Sequence, residues 1–70
     1  MQKLNVEDVG CANPQDGDII VYNFGKAVAH VAIFSDGFIF HSVSGVGVSR
    51  ASWTDPMWQR RRVTGFRVLV

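Results

Sequence analysis

A mainly β chain, folded as a small five-stranded antiparallel sheet or half-open barrel, is predicted by three observations. Short apolar stretches rich in β-branched and aromatic residues recur along the sequence. Turn formers separate them, above all Asp36-Gly37. The 70 residues leave room for one small domain and no second.

The elements follow in chain order. Residues 1–13 are a lead-in, with a helical turn around Val6 to Val9 that Gly10 ends. Asn13 to Asp18 supply turn formers, and Pro14 opens a single domain of residues 14–70. Ile19 to Phe24 reads as a largely buried strand, and Gly25-Lys26 as a bend. Ala29 to Ser35 and Phe38 to Val43 form a hairpin around Asp36-Gly37, the favoured dipeptide of a two-residue type I′ turn. Gly45 to Ser52 is a further strand, loosened by Gly45 and Gly47. Trp53 to Arg61 contains Pro56 and holds a helical turn, and Val63 to Val70 closes the chain as the last strand.

Composition excludes several classes. With 47% hydrophobic and 19% charged residues, the chain is globular and not disordered. Its net charge of +1 spreads no field that would recruit nucleic acid or anionic lipid. Cys11 is the single cysteine, so no internal disulfide forms. One thiol and two histidines are too few for a structural zinc site, and neither metal nor cofactor is expected. The first eight residues lack the apolar core of a signal peptide, and no apolar run approaches the ~18 residues of a membrane helix.

The hairpin decides where the two histidines lie. A two-residue loop sets Ser35 opposite Phe38, Phe34 opposite Ile39, Ala32 opposite His41 and His30 opposite Val43. His30, Ala32, Phe34, Ile39, His41 and Val43 then share one face. His30 and His41 become diagonal neighbours, roughly 7–8 Å apart at the backbone and within reach of two imidazole rings. A three-residue loop would put them on opposite faces. The other face carries Val31, Ile33, Phe38 and Phe40, which are expected to form the core. A lone histidine on an apolar strand is usually a satisfied core residue. Two on one face, with small Ala32 between them, equally suit a proton-transfer site in which one ring fixes the tautomer of the other.

These residues carry a resemblance. Pro14 to Val70 is similar to the C-terminal half of the NlpC-type cysteine peptidases, papain-like cell-wall endopeptidases, and most of all to the version in phage tail-assembly proteins. The family's proline-glycine-aspartate before an apolar strand is matched loosely by Gln15-Asp16-Gly17-Asp18-Ile19-Ile20-Val21, where Asp16 replaces the proline. Its histidine strand matches His30-Val31-Ala32-Ile33-Phe34, and its glycine turn and second histidine match Asp36-Gly37-Phe38-Ile39-Phe40-His41. Trp58-Gln59-Arg60-Arg61-Arg62 resembles the family's Trp-Arg-Arg stretch. The resemblance implies a β-rich remnant of an α+β papain-like fold. It puts His30 at the catalytic-base position and His41 at the orienting position.

The nucleophile is where the pattern departs. In the family a cysteine opens a helix within an Asp-Cys-Ser-Gly-like motif, where the helix terminus and imidazolium favour the thiolate. The 70 residues contain no such motif. Cys11 stands in the loop-like Gly10-Cys11-Ala12-Asn13-Pro14 with no helix after it, which fits an incidental thiol better than a nucleophile.

The resemblance therefore implies a truncated, non-catalytic binding or structural module of phage or prophage origin, placed in the virion tail or host cytoplasm. One alternative is a peptidoglycan endopeptidase acting through Cys11 or through a nucleophile from a partner chain. Another is an inhibitor or regulator that mimics the barrel. Expected partners are a second copy or another protein, phage tail proteins first, meeting the histidine face through Ala32, Phe34, Ile39 and Val43. Leu4, Val6 and Val9 would shield only part of that apolar face. Peptidoglycan is a further expected ligand, and neither membrane nor nucleic acid is.

Three side features have plain readings. Trp53 and Trp58 suit lids on the core better than sugar-stacking platforms. Arg60, Arg61, Arg62 and Arg67 suit a solvated strand edge better than a phosphate or acidic-partner site. Gly45-Val46-Gly47-Val48-Ser49 lacks the lysine and helix of a phosphate loop.

Overall fold

A computed structural model describes residues 5–25, 29–43 and 45–69. Its strands are β1 (Asn5–Asp8), β2 (Ile19–Asn23), β3 (Ala29–Ser35), β4 (Phe38–Val43), β5 (Gly47–Ser52) and β6 (Arg62–Leu69). A one-turn helix, α1 (Pro56–Gln59), lies between β5 and β6. The strands form one open antiparallel sheet in the order β1-β6-β2-β3-β4-β5. Leu4, Lys26 and Val70, for which a shield, a bend and a strand end are expected, lie outside the described residues.

The mainly β class holds, with six strands in place of five. The extra one is β1, where the sequence suggests a helical turn. Its four residues pair with β6 from Asn5↔Leu69 to Asp8↔Phe66. A segment this short has too little local pattern to announce a strand, and the partner 60 residues away supplies its hydrogen bonds. The chain then leaves β1 across Gly65. A Cβ there would stand 2.4 Å from the Gly10 carbonyl oxygen, so only glycine allows the crossing.

The hairpin forms as its turn chemistry requires. Asp36 and Gly37 both have positive φ, 51° and 80°, as a type I′ turn demands. Ser35↔Phe38, Phe34↔Ile39 and Ile33↔Phe40 face one another. On the other side of β3, Tyr22 faces His30 and Ile20 faces Ala32.

The core lies on the histidine face, which corrects the expected assignment. Ile20, Tyr22, Ala32, Phe34, Ile39 and Trp58 form the buried cluster, with Ala51 and Trp53 packed against it. Ala32, Phe34 and Ile39 are therefore core residues and do not offer a docking patch. Val31 and Ile33, expected in the core, are 55% and 44% exposed. The cause is the β5–β6 connection, which folds over the histidine face. Asp55 starts α1 by accepting a hydrogen bond from the Met57 amide, and Pro56 follows at the first helical position. Trp58 is thereby set edge-on to Tyr22, and Trp53 edge-on to Phe34, with ring centroids 5.1 and 5.0 Å apart.

The basic residues are also redistributed. β1 and β2 flank β6, and β1 pairs with Arg67 itself, so Arg67 does not guard an edge. Arg67 donates from Nε and a terminal nitrogen to the buried Asp18 carboxylate, both at 2.9 Å. That bidentate pair and the Gln15 amide hold Asp18 below the usual carboxylate range against the opposing effect of burial.

Candidate functional site

The site is built at one end of the sheet, where β2 finishes, β3 begins and β4 ends. Strand alternation turns His30 towards the core face beside Tyr22, and the type I′ register brings His41 to the same face from β4. His30 Nε2 and His41 Nδ1 are 3.4 Å apart, with ring centroids at 5.3 Å. Both rings are partly buried. The sequence-derived diagonal thus closes into a direct imidazole–imidazole contact.

Trp58 seats the pair. Its ring lies 4.4 Å from His41 and 5.6 Å from His30, centroid to centroid. Phe24 stands edge-on to His30 at 5.6 Å and to Trp58 at 5.0 Å. Trp58 against both rings and Phe24 against His30 restrict the imidazoles to few orientations. Burial, helped by the neighbouring His30, pushes the His41 pKa below its ordinary 6.5. A neutral His41 keeps a lone pair for its partner. When Nδ1 is that acceptor, the proton on His30 sits at Nε2 and leaves His30 Nδ1 free to take another. The pair can therefore act as a base with an orienting acceptor behind it.

An open groove of about 410 Å³ lies alongside, lined by Phe24, His30, His41, Ser42, Val43 and Trp58. Of the four positions expected to bind a partner, Val43 alone lines it; Ala32, Phe34 and Ile39 lie beneath in the core. Phe24 and Ser42 are lining residues that sequence reasoning missed. Both follow a recognised position, Phe24 two residues after core Tyr22 and Ser42 directly after His41, but only the end of the sheet brings them together.

Cys11 is not among the lining residues. It is a half-buried free thiol near enough to Tyr22 to act on the phenol's titration. Burial is the main influence there and raises the Tyr22 pKa, with the Arg62 guanidinium opposing it. Among the described residues the Tyr22 hydroxyl and Arg62 Nε meet no hydrogen-bond partner, although Arg62 stacks on Trp53 at 3.3 Å and donates to the Trp53 carbonyl. Among the described residues no third His, Cys, Asp or Glu joins the histidines in a metal-binding group.

An open β sheet that presents two hydrogen-bonded histidines from adjacent strands beside a groove defines a small β-rich domain of NlpC type. Comparison with protein families matches the NlpC/P60 family over residues 1–67, and the chain belongs to that family. The match takes in the lead-in ahead of Pro14. No curated protein sequence matches the chain significantly. Among the described residues no helix is long and apolar enough to cross a membrane.

Proposed function

We propose that this polypeptide is a peptide-binding NlpC/P60 module, non-catalytic by itself, of a phage or prophage tail. One observation carries the reading: the groove holds a histidine pair and apolar walls, and Cys11 is not among the residues that line it. Peptide hydrolysis of papain type needs a thiolate within hydrogen-bond reach of the base. The tail setting is supported by the resemblance of the His30–His41 block to the tail-assembly version of the family.

The purified chain is expected to bind peptidoglycan-derived peptides without cleaving them. Binding is read from the imidazole NMR signals of His30 and His41, and cleavage from released amines. Turnover that vanishes in Cys11→Ala would make Cys11 the nucleophile and overturn the non-catalytic reading.

A second reading is favoured by the preformed pair itself. His30 already has its orienting acceptor 3.4 Å away, and His41 is biased towards the neutral form. A cysteine helix from another polypeptide would then complete an endopeptidase. Adding a cysteine-bearing family helix domain and finding His30-dependent turnover would establish this reading over the first.

A further inference from the structure

One row of residues crosses the whole open face of the sheet. The registers set Asp8 opposite Phe66, Phe66 opposite Ile19, Ile19 opposite Ile33, Ile33 opposite Phe40 and Phe40 opposite Arg50. Cross-strand partners share a face, so all six stand on the side away from the core. In the strand order β1-β6-β2-β3-β4-β5 the row reads acid, Phe, Ile, Ile, Phe, base. None of the six is fully buried.

The charged ends are available. Asp8 and Arg50 are exposed, and neither forms an ion pair among the described residues. By strand alternation they are the two charged side chains that the described strands put on this face. Both are held there. Asp8 accepts from the Thr64 hydroxyl at 2.6 Å, and the Arg50 guanidinium carbon lies 4.6 Å from the centroid of Phe38. Thr64 and Phe38 share the open face, two residues along from Phe66 and Phe40.

We propose that the open face is the interface of a symmetric homodimer, because its central row is complementary to itself. A two-fold axis running along the strands between β2 and β3 reverses the strand order and keeps each residue's level. A second copy laid face to face about that axis sets Asp8 against Arg50, Phe66 against Phe40 and Ile19 against Ile33, each contact occurring twice. Five interstrand spacings of about 4.8 Å make the row roughly 24 Å long, close to the width of a standard interface of about 800 Å² per partner. Packed sheets cross at about 30°, and the long Arg50 side chain takes up the offset this introduces at the ends of the row. The hollow of about 300 Å³ beside Phe40 receives Phe66 of the second copy. The inference is independent of the histidine groove, which belongs to the other face.

The test is sedimentation velocity of the full chain over a dilution series. A dissociation constant on the order of 50 µM is expected, so the chain is mostly dimeric at about 500 µM and monomeric at about 1 µM. Arg50→Asp and Asp8→Arg should each weaken the dimer about ten-fold, since each replaces two attractions by two repulsions. The doubly reversed chain should recover the affinity. So should an equimolar mixture of the two single variants, because each carries the charge the other lacks. Ile33→Asp, at an exposed position, should abolish the dimer, with circular dichroism confirming the fold of every variant. Should Asp8→Arg unfold the chain, Arg50→Asp and Ile33→Asp decide by themselves. A dimer that survives Ile33→Asp, or single reversals that neither weaken it nor rescue one another, overturns the inference. A chain still monomeric at 500 µM overturns it equally and leaves the face to a different protein.

Discussion

The two faces of the β3–β4 hairpin are almost equally apolar and have opposite fates. One carries Ala32, Phe34 and Ile39 and is sealed; the other carries Val31, Ile33 and Phe40 and stays largely open. Hydrophobicity does not distinguish them. What does is the β5–β6 connection, which lays Trp53 and Trp58 on one side only. On the open side a second hollow of about 300 Å³ is lined by Val31, Ile33, Phe40 and Val48 among others. A sheet with two good apolar faces acquires its core where a chain connection happens to supply the lid. The same lid encloses the histidines, so core and candidate site are one construction.

The sharpest way to break this contrast is to truncate one isoleucine on each face. Ile39→Ala removes a side chain that is 0% exposed and is expected to cost about 3 kcal/mol, enough to unfold much of so small a domain. Ile33→Ala, on the neighbouring strand but the open face, is expected to cost less than about 1 kcal/mol. Urea unfolding curves measure both. Equal losses would mean that the open face is covered in solution by another molecule.

A smaller effect separates charge from apolar packing on the covered face. Asp18→Asn should lower the melting temperature by roughly 10 °C, because the Arg67 fork then faces a neutral amide. The unaltered protein should also lose stability in acid. With its folded pKa lowered, Asp18 stabilises fully above the unfolded value near 3.8, and that contribution disappears as pH falls through and below it. Asp18→Asn should lack this acid component, and an unchanged acid profile would assign it to another carboxylate.

The smallest effect sharpens the contrast at the site. His41 has its folded pKa lowered by burial under Trp58, so the unfolded chain takes up the proton first as pH falls through 6.5. Stability is therefore expected to decline as pH falls through 6.5, and less so in His41→Gln. The His41 ring should titrate below 6.5 by NMR; a midpoint at or above that value would show the lid open in solution.

Local rules made part of the site legible. Asp36-Gly37 admits positive φ at two successive positions, which sets a two-residue turn, and the turn sets a register of period two. From that alone His30 and His41 must share a face. The remaining strands of the sheet from β2 to β6 were likewise readable from apolar runs and their punctuation. β1 was not, because four residues hold too little pattern and its hydrogen bonds come from distant β6. Arg67 offered no local sign that it would leave the basic run for Asp18, 49 positions away.

The sequence by itself determined the class, the hairpin and the pairing of the histidines, since each depends on short-range backbone geometry. Tertiary structure alone decided which face became the core, that Trp58 would wall both imidazoles, and that Phe24, Ser42 and Val43 would meet around one groove. The physical reason is that strand periodicity says which residues share a face. Which face is withdrawn from water depends on where a distant connection comes to rest, and that is a contact between segments no local pattern encodes.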